Sequence, residues 1–200
     1  MILALSGWSI DGALYQRVVD LAHRSPGALD TAVRAWSDYG LAVFAVLMVI
    51  GWWRARRAGA RAAMTALTVP VAVLVAFAAD SGVKDLVREN RPCQGLPSHT
   101  LEVCPGTGDW SFPSNHTAIA VAATVALFFV SRKLGAVAAL CAVAMAVSRV
   151  WIGVHYPHDV LAGAVVGGLV SFLVMGVLRN RPRDLADRLA ATRLRPLLVS

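Results

Sequence analysis

Five apolar runs dominate this chain, roughly Tyr39–Trp53, Ala62–Gly82, Ser114–Val130, Leu134–Ile152 and Val160–Leu178. Each comes close to the ~20 residues a helix needs to cross a bilayer. In 200 residues they leave room for one domain and little else. Hydrophobic residues make up 57% and charged ones only 16%, too apolar a balance for an ordinary soluble domain. The expected fold is all-α, a polytopic membrane helix bundle, because backbone groups in hydrocarbon must be satisfied within the chain. The first run is short, but it can extend backward through the helix-compatible Leu29–Asp38. Residues 9–24 place apolar and charged positions at helical spacing without a long apolar core. That pattern predicts an amphipathic helix at the interface, then a turn at Ser25-Pro26-Gly27. Read as a poor span, it would raise the count from five to six. With no basic n-region and no clear cleavage site, no cleavable signal peptide is expected. The chain thus divides into an interfacial segment 1–38, a membrane domain 39–180 and a tail 181–200.

The net charge of +7 raises the question of a nucleic-acid partner, but no aromatic–basic interleaving accompanies it. Topology accounts for it instead. Arg54, Arg56, Arg57 and Arg61 lie between the first two spans, and Arg132 and Lys133 between the third and fourth. Arg179, Arg181 and Arg183 follow the fifth. The positive-inside rule places these short loops in the cytoplasm. Lys84–Pro113 and Gly153–Asp159 then face outward from the plasma membrane, with ten of the twelve acidic residues and all five histidines. Cys93 and Cys104 flank a loop on that outer side, where a disulfide would persist and staple it; two free thiols are the alternative. Cys141, among Ala, Val and Leu, reads as packing.

Three clusters put charge at the helix ends, where it is costly and calls for a role. In the first, Asp80, Lys84 and Arg88 recur at i, i+4, as in a salt-bridged helix end near water. On a continuing helix Lys84 and Arg91 also share a face, and Pro92 fixes the exit of Arg91. In the second, Pro113-Ser114-Asn115-His116 enters a long apolar helix. Ser114 or Asn115 can cap that helix, whose N-terminus also offers an anion site beside His116. An ordinary imidazole pKa near ~6.5 suits His116 to proton donation. In the third, Ser148-Arg149 closes one span, and His155 and Asp159 stand four apart at the start of the next. A helix beginning at Pro157 would let the carboxylate fix the imidazole tautomer, as in activated nucleophiles. Each cluster has a bland reading. Together, on one face, they compose a site for a phosphoryl group. Carboxylate clusters for magnesium are not evident in the sequence, so neither a metal nor another cofactor is expected.

The combined spacing is Lys84, Arg91-Pro92, Pro113-Ser114-Asn115-His116, Ser148-Arg149, His155 and Asp159. It resembles the type 2 phosphatidic acid phosphatase family over about residues 38–180. Its small size is similar to the bacterial undecaprenyl pyrophosphate phosphatases of that family. The resemblance implies that His155 attacks phosphorus, Asp159 orients it, and His116 protonates the leaving oxygen. It also implies that Lys84, Arg91, Ser114, Arg149 and the backbone N–H near Asn115 hold the phosphoryl oxygens. Asn115 stands where the family usually has Gly. The implied substrate is undecaprenyl pyrophosphate, a carrier lipid recycled for cell-wall synthesis, and the implied partners are that lipid and the surrounding membrane. A phosphatidic acid or phosphatidylglycerophosphate phosphatase is the alternative. Soluble vanadate-dependent haloperoxidases share the motif set, but five spans argue against them. A lipid-binding or translocating protein would not require His155 and Asp159 together. His99, His158, Arg88, Glu89 and Asp109 fall outside the motif and read as solvated loop residues. Trp110, Phe112, Trp151 and Tyr156 read as contacts to the interface or a lipid chain.

Overall fold

The computed structural model describes residues 11–96, 100–179 and 195–198. His99 and nearly all of the tail, including Arg181 and Arg183, lie outside the described residues. The described residues form helices and connecting loops: α1 (Gly12–His23), α2 (Gly27–Tyr39), α3 (Leu41–Arg57), α4 (Ala60–Val87), α5 (Pro92–Gly95), α6 (Asn115–Val130), α7 (Arg132–Trp151), α8 (Pro157–Arg179) and α9 (Arg195–Leu198). The fold is all-α. The segments of α4, α7 and α8 are long and apolar enough to cross a membrane, and α2 with α3 forms a fourth candidate bent by 53°. Helix α6 has 16 residues, about 24 Å of rise. It is the bundle's central element, packed against α3, α4, α7 and α8. The outer surface inverts the pattern of a soluble protein. Leu74, Leu140 and Leu169 are 66, 75 and 61% exposed, as residues facing lipid tails would be.

The backward extension of the first run forms but bends, and the sixth span, the alternative to the expected interfacial helix, does not form. The backward extension of α3 is not a straight helix, because the axis turns at Gly40, where α2 and α3 meet. A side chain at Gly40 would come within 2.9 Å of Met145 on α7 and 3.0 Å of the Trp36 ring. Helix α1 has only 12 residues, about 18 Å, which is too short to be a sixth span. It buries Tyr15, Val19 and Ala22 and packs beside Val150, Tyr156 and Val160. Cys93 and Cys104 are joined in a disulfide, and Cys141 packs against the core.

The contact that sets the site is the register of α8 on α6. Both helices run away from the site end, and small residues let their backbones touch. A Cβ at Gly163 would lie 2.5 Å from the Ser114 carbonyl, and one at Gly167 would collide with the Ala118 carbonyl. At the ends of this seam the Ser114 N–H donates to the Asp159 carbonyl at 3.0 Å, and the Ser171 hydroxyl donates to the Ala122 carbonyl at 2.8 Å. Residues 159, 163, 167 and 171 thus form one i, i+4 row against a matching row on α6, the packing small residues permit in membranes. Gly167→Val should therefore destabilise the protein by about 1–3 kcal/mol. Gly176→Val, where nothing lies within 4 Å, should leave stability unchanged. Thermal melting in one detergent compares the two; equal losses would contradict the seam.

Candidate active site

The end of the bundle bearing the loops 88–113 and 152–156 gathers all eight residues singled out from the sequence, by the routes α4, α5, α6, α7 and α8. His155 and Asp159 are 2% and 0% exposed. His155 Nδ1 faces Asp159 Oδ2 at 3.3 Å, and that oxygen also accepts the Tyr156 N–H at 2.8 Å. On the other side of the ring, Arg91 Nη1 lies 3.3 Å from His155 Nε2. A guanidinium can only donate, so Nε2 carries the lone pair and the proton sits on Nδ1, toward the carboxylate. This is the tautomer a nucleophilic imidazole needs. Burial first, then Arg149, Arg91 and Lys84, hold the His155 pKa well below its ordinary value. Lowering the pH through about 6.5 therefore leaves this imidazole neutral in the folded protein.

The cations are held by neutral groups as much as by carboxylates. Lys84 Nζ donates to the carbonyls of Trp110 at 2.8 Å and Ser111 at 3.3 Å. Arg91 donates to the Val154 carbonyl at 2.9 Å and to the Asp109 carbonyl at 3.0 Å, and pairs with Asp109 Oδ1 at 2.9 Å. Arg149 Nη1 donates to the Ser37 hydroxyl at 2.6 Å. All three cations are electrostatic neighbours of both His116 and His155. Ser114 sits at the N-cap of α6, yet its side chain caps nothing and accepts instead from Thr117 at 3.2 Å. The first N–H groups of α6 thus lack a side-chain cap at Ser114, which suits an anion.

Several local expectations are corrected. Lys84 and Arg91 do not share a helix: α4 ends at Val87, Arg88 turns into the left-handed region at φ 54°, and Arg91 is extended. Pro92 enforces that extended backbone. The Asp80–Lys84–Arg88 ladder is not formed either. Asp80 is fully buried with neither oxygen hydrogen-bonded among the described residues, and Arg88 Nε donates to the Asp85 carbonyl. His158, Glu89 and Asp109 are not merely solvated. Asp109 holds Arg91. The His158 imidazole lies between Asp11 Oδ1 at 2.9 Å and Glu89 Oε2 at 3.1 Å, with Asp159 Oδ1 at 3.4 Å. Two carboxylates remote in sequence, Asp11 and Glu89, thus converge with the adjacent Asp159 on one imidazole, a clustering no local pattern announced. Tyr156 is buried and stacks on His158 at 5.2 Å, so it does not face lipid. Trp151 Nε1 donates to Asp30 Oδ1 at 3.0 Å. Ser37, like Asp11 and Asp30, reaches the site from the N-terminal segment and carried no sequence signal.

A membrane bundle with a buried imidazole–carboxylate pair and three convergent cations is the architecture of an integral-membrane phosphatase. Residues 65–183 match the family model described as PAP2 superfamily, and the chain belongs to that superfamily. It is 29% identical to undecaprenyl-diphosphatase BcrC of Bacillus subtilis, over 80% of either chain. It is 34% identical to decaprenylphosphoryl-5-phosphoribose phosphatase of Mycobacterium tuberculosis, over 79% of this chain and 85% of that one. The crystal structure of a transmembrane PAP2-type phosphatidylglycerolphosphate phosphatase from Bacillus subtilis superposes with a TM-score of 0.66, at 21% identity and 88% coverage of both chains. The protein is therefore a PAP2-type membrane lipid phosphatase.

Asp159→Asn removes the carboxylate that faces His155 Nδ1 while keeping the shape of the side chain. It should lower kcat by roughly 10³-fold or more with KM changed far less. Phosphate-release kinetics on the detergent-solubilised enzyme test this. A variant retaining near-normal kcat would remove Asp159 from the orienting role.

Proposed function

We propose that the protein hydrolyses a polyprenyl pyrophosphate, undecaprenyl pyrophosphate in the first instance, to the lipid monophosphate and inorganic phosphate. The product would re-enter cell-wall synthesis as carrier lipid. The observation that carries the chemistry is the His155 ring, held between Asp159 at Nδ1 and Arg91 at Nε2. The undecaprenyl chain is supported by the similarity to BcrC over 80% of the molecule. In this reading the Nε2 lone pair attacks the terminal phosphorus. The bond to the bridging oxygen breaks, and that oxygen leaves with the electron pair and a proton from His116. Water, giving its proton back to His116, then attacks the phosphohistidine; inorganic phosphate departs and Nε2 recovers its lone pair. Lys84, Arg91, Ser114, Arg149 and the N–H near Asn115 hold the phosphoryl oxygens throughout and neutralise their charge.

Sidedness is part of the proposal. Arg54, Arg56, Arg57, Arg61, Arg132 and Lys133 all sit at the helix ends opposite the site. That distribution supports a cytoplasmic far end and an active site on the extracytoplasmic side of the plasma membrane. The boundaries 1–38, 39–180 and 181–200 stand as part of the same reading.

One observation favours a second substrate class. The Asn115 side-chain oxygen is buried without a hydrogen-bond partner among the described residues. A glycerol or ribose hydroxyl would supply a donor that a bare pyrophosphate lacks, as in phosphatidylglycerophosphate or a lipid-linked phosphoribose. The test is phosphate release in the presence of chelator, comparing undecaprenyl pyrophosphate with phosphatidic acid and phosphatidylglycerophosphate. The proposal predicts at least tenfold higher kcat/KM on the pyrophosphate, about 1.4 kcal/mol of transition-state preference. Glycerolipid preference that Asn115→Gly abolishes would establish the second reading; strict magnesium dependence would contradict the mechanism.

A further inference from the structure

At the end of the bundle away from the active site, a cavity of about 590 Å³ opens between α3, α4, α6 and α7. The catalytic reading leaves it unused: along α4, Arg61 and Lys84 are 23 residues apart, about 34 Å of helix. Its polar wall is Arg54 at the end of α3, Arg61 in the first turn of α4, Thr65 one turn further, and Ser131 at the N-cap of α7. Its apolar wall includes Phe129 and Leu134. Two helices therefore begin at this cavity with the positive ends of their dipoles, and the α4 N-cap, Gly59, carries no side chain to satisfy the first N–H groups.

Charge balance sharpens the case. Among the described residues every carboxylate lies toward the active-site end or on α1 and α2, and no ion pair involves Arg54 or Arg61. Both arginines are exposed. The neighbouring Arg56 turns away and lies 5.1 Å from the ring centroids of both Trp52 and Trp53. A pair of arginines with no ion-pair partner among the described residues, two helix N-termini and an apolar wall at the boundary between hydrocarbon and water match one ligand chemistry. It is a phosphodiester anion attached to acyl chains.

We propose that this cavity binds the headgroup of an anionic phospholipid, with Arg54 and Arg61 on the phosphate and the acyl chains running down the Phe129–Leu134 wall. The lipid binds as a structural ligand at the foot of α6, the helix that carries Ser114, Asn115 and His116 at its other end. Basic pockets between membrane helices recognise such headgroups by the same combination of charge and apolar contact. Because α3, α4, α6 and α7 all contribute to the cavity, binding there resists separation of the core helices and raises the melting temperature. The site is separate from the reaction and does not depend on which lipid is the substrate.

The experiment uses the full chain in neutral detergent, titrated with phosphatidylserine, phosphatidylcholine or inorganic phosphate, with melting temperature as the readout. Phosphatidylserine is a phosphodiester and offers no terminal phosphate to hydrolyse. It should raise the melting temperature saturably, whereas phosphatidylcholine should not, and any shift from inorganic phosphate, which the active site also holds, should be the same in the wild type and in Arg54→Gln with Arg61→Gln. Arg54→Gln with Arg61→Gln should weaken that binding roughly 30-fold. The double variant should keep wild-type turnover in neutral detergent, which shows that it is folded. An equal phosphatidylserine shift in the double variant overturns the site. A shift with inorganic phosphate that the double variant loses overturns its assignment to a lipid, and absence of any shift with phosphatidylserine overturns the proposal. If the double variant loses turnover, Arg54→Lys with Arg61→Lys provides the folded comparison and should retain the shift; its loss there would also count against a site defined by positive charge.

Discussion

Everything at the active-site end depends on how closely α8 lies against α6. The approach is possible because Gly163 and Gly167 bring no Cβ to the Ser114 and Ala118 carbonyls. It places the Asp159 carbonyl on the Ser114 N–H, and so ties the carboxylate residue beside His155 to the first residue of the proposed anion site. Water would compete for these groups in a soluble protein; inside a bilayer it does not, and small residues rather than large apolar ones set the interhelical distance. The large apolar residues are turned outward, where lipid tails accept them at no cost.

A second constraint is electrostatic. Three cations stand within reach of one imidazole, and in the absence of substrate their charge must be tolerated. The solution is carbonyl oxygens and a hydroxyl, from Trp110, Ser111, Val154 and Ser37, with Asp109 as a carboxylate partner that is 56% exposed. Neutral acceptors satisfy the N–H groups without cancelling the field, so a phosphoryl dianion still finds a positive pocket. The same field, added to burial, keeps His155 unprotonated. In the proposed mechanism the cations that hold the phosphoryl group thereby also keep the nucleophile ready.

Much of this was legible in the sequence, because membrane spans and motif spacing are local or nearly local signals. The run from Ser114 to Val130 predicted α6 to within one residue, and Cys93 and Cys104 are paired. The spacing of Lys84, Arg91, His116, Arg149, His155 and Asp159 identified the group of residues that the fold brings together. What the sequence concealed is long-range. Ser37 lies 112 residues from Arg149, and Asp11 lies 147 from His158; neither pair belongs to a periodic pattern. At Gly40, where the axis changes, a side chain would meet Met145 of another helix. Glu89 and His158 read as loop residues because only packing shows that the two meet.

The central claim is that His155 forms a covalent bond to phosphorus. Its most direct measurement is rapid acid-free quenching of the enzyme turning over a lipid pyrophosphate radiolabelled in the terminal phosphate, followed by peptide mapping at alkaline pH. Label on His155, stable to base and lost in acid, together with no label in His155→Ala, is the predicted result. Steady turnover with no labelled enzyme at any quench time, or label recovered on another residue, would contradict it.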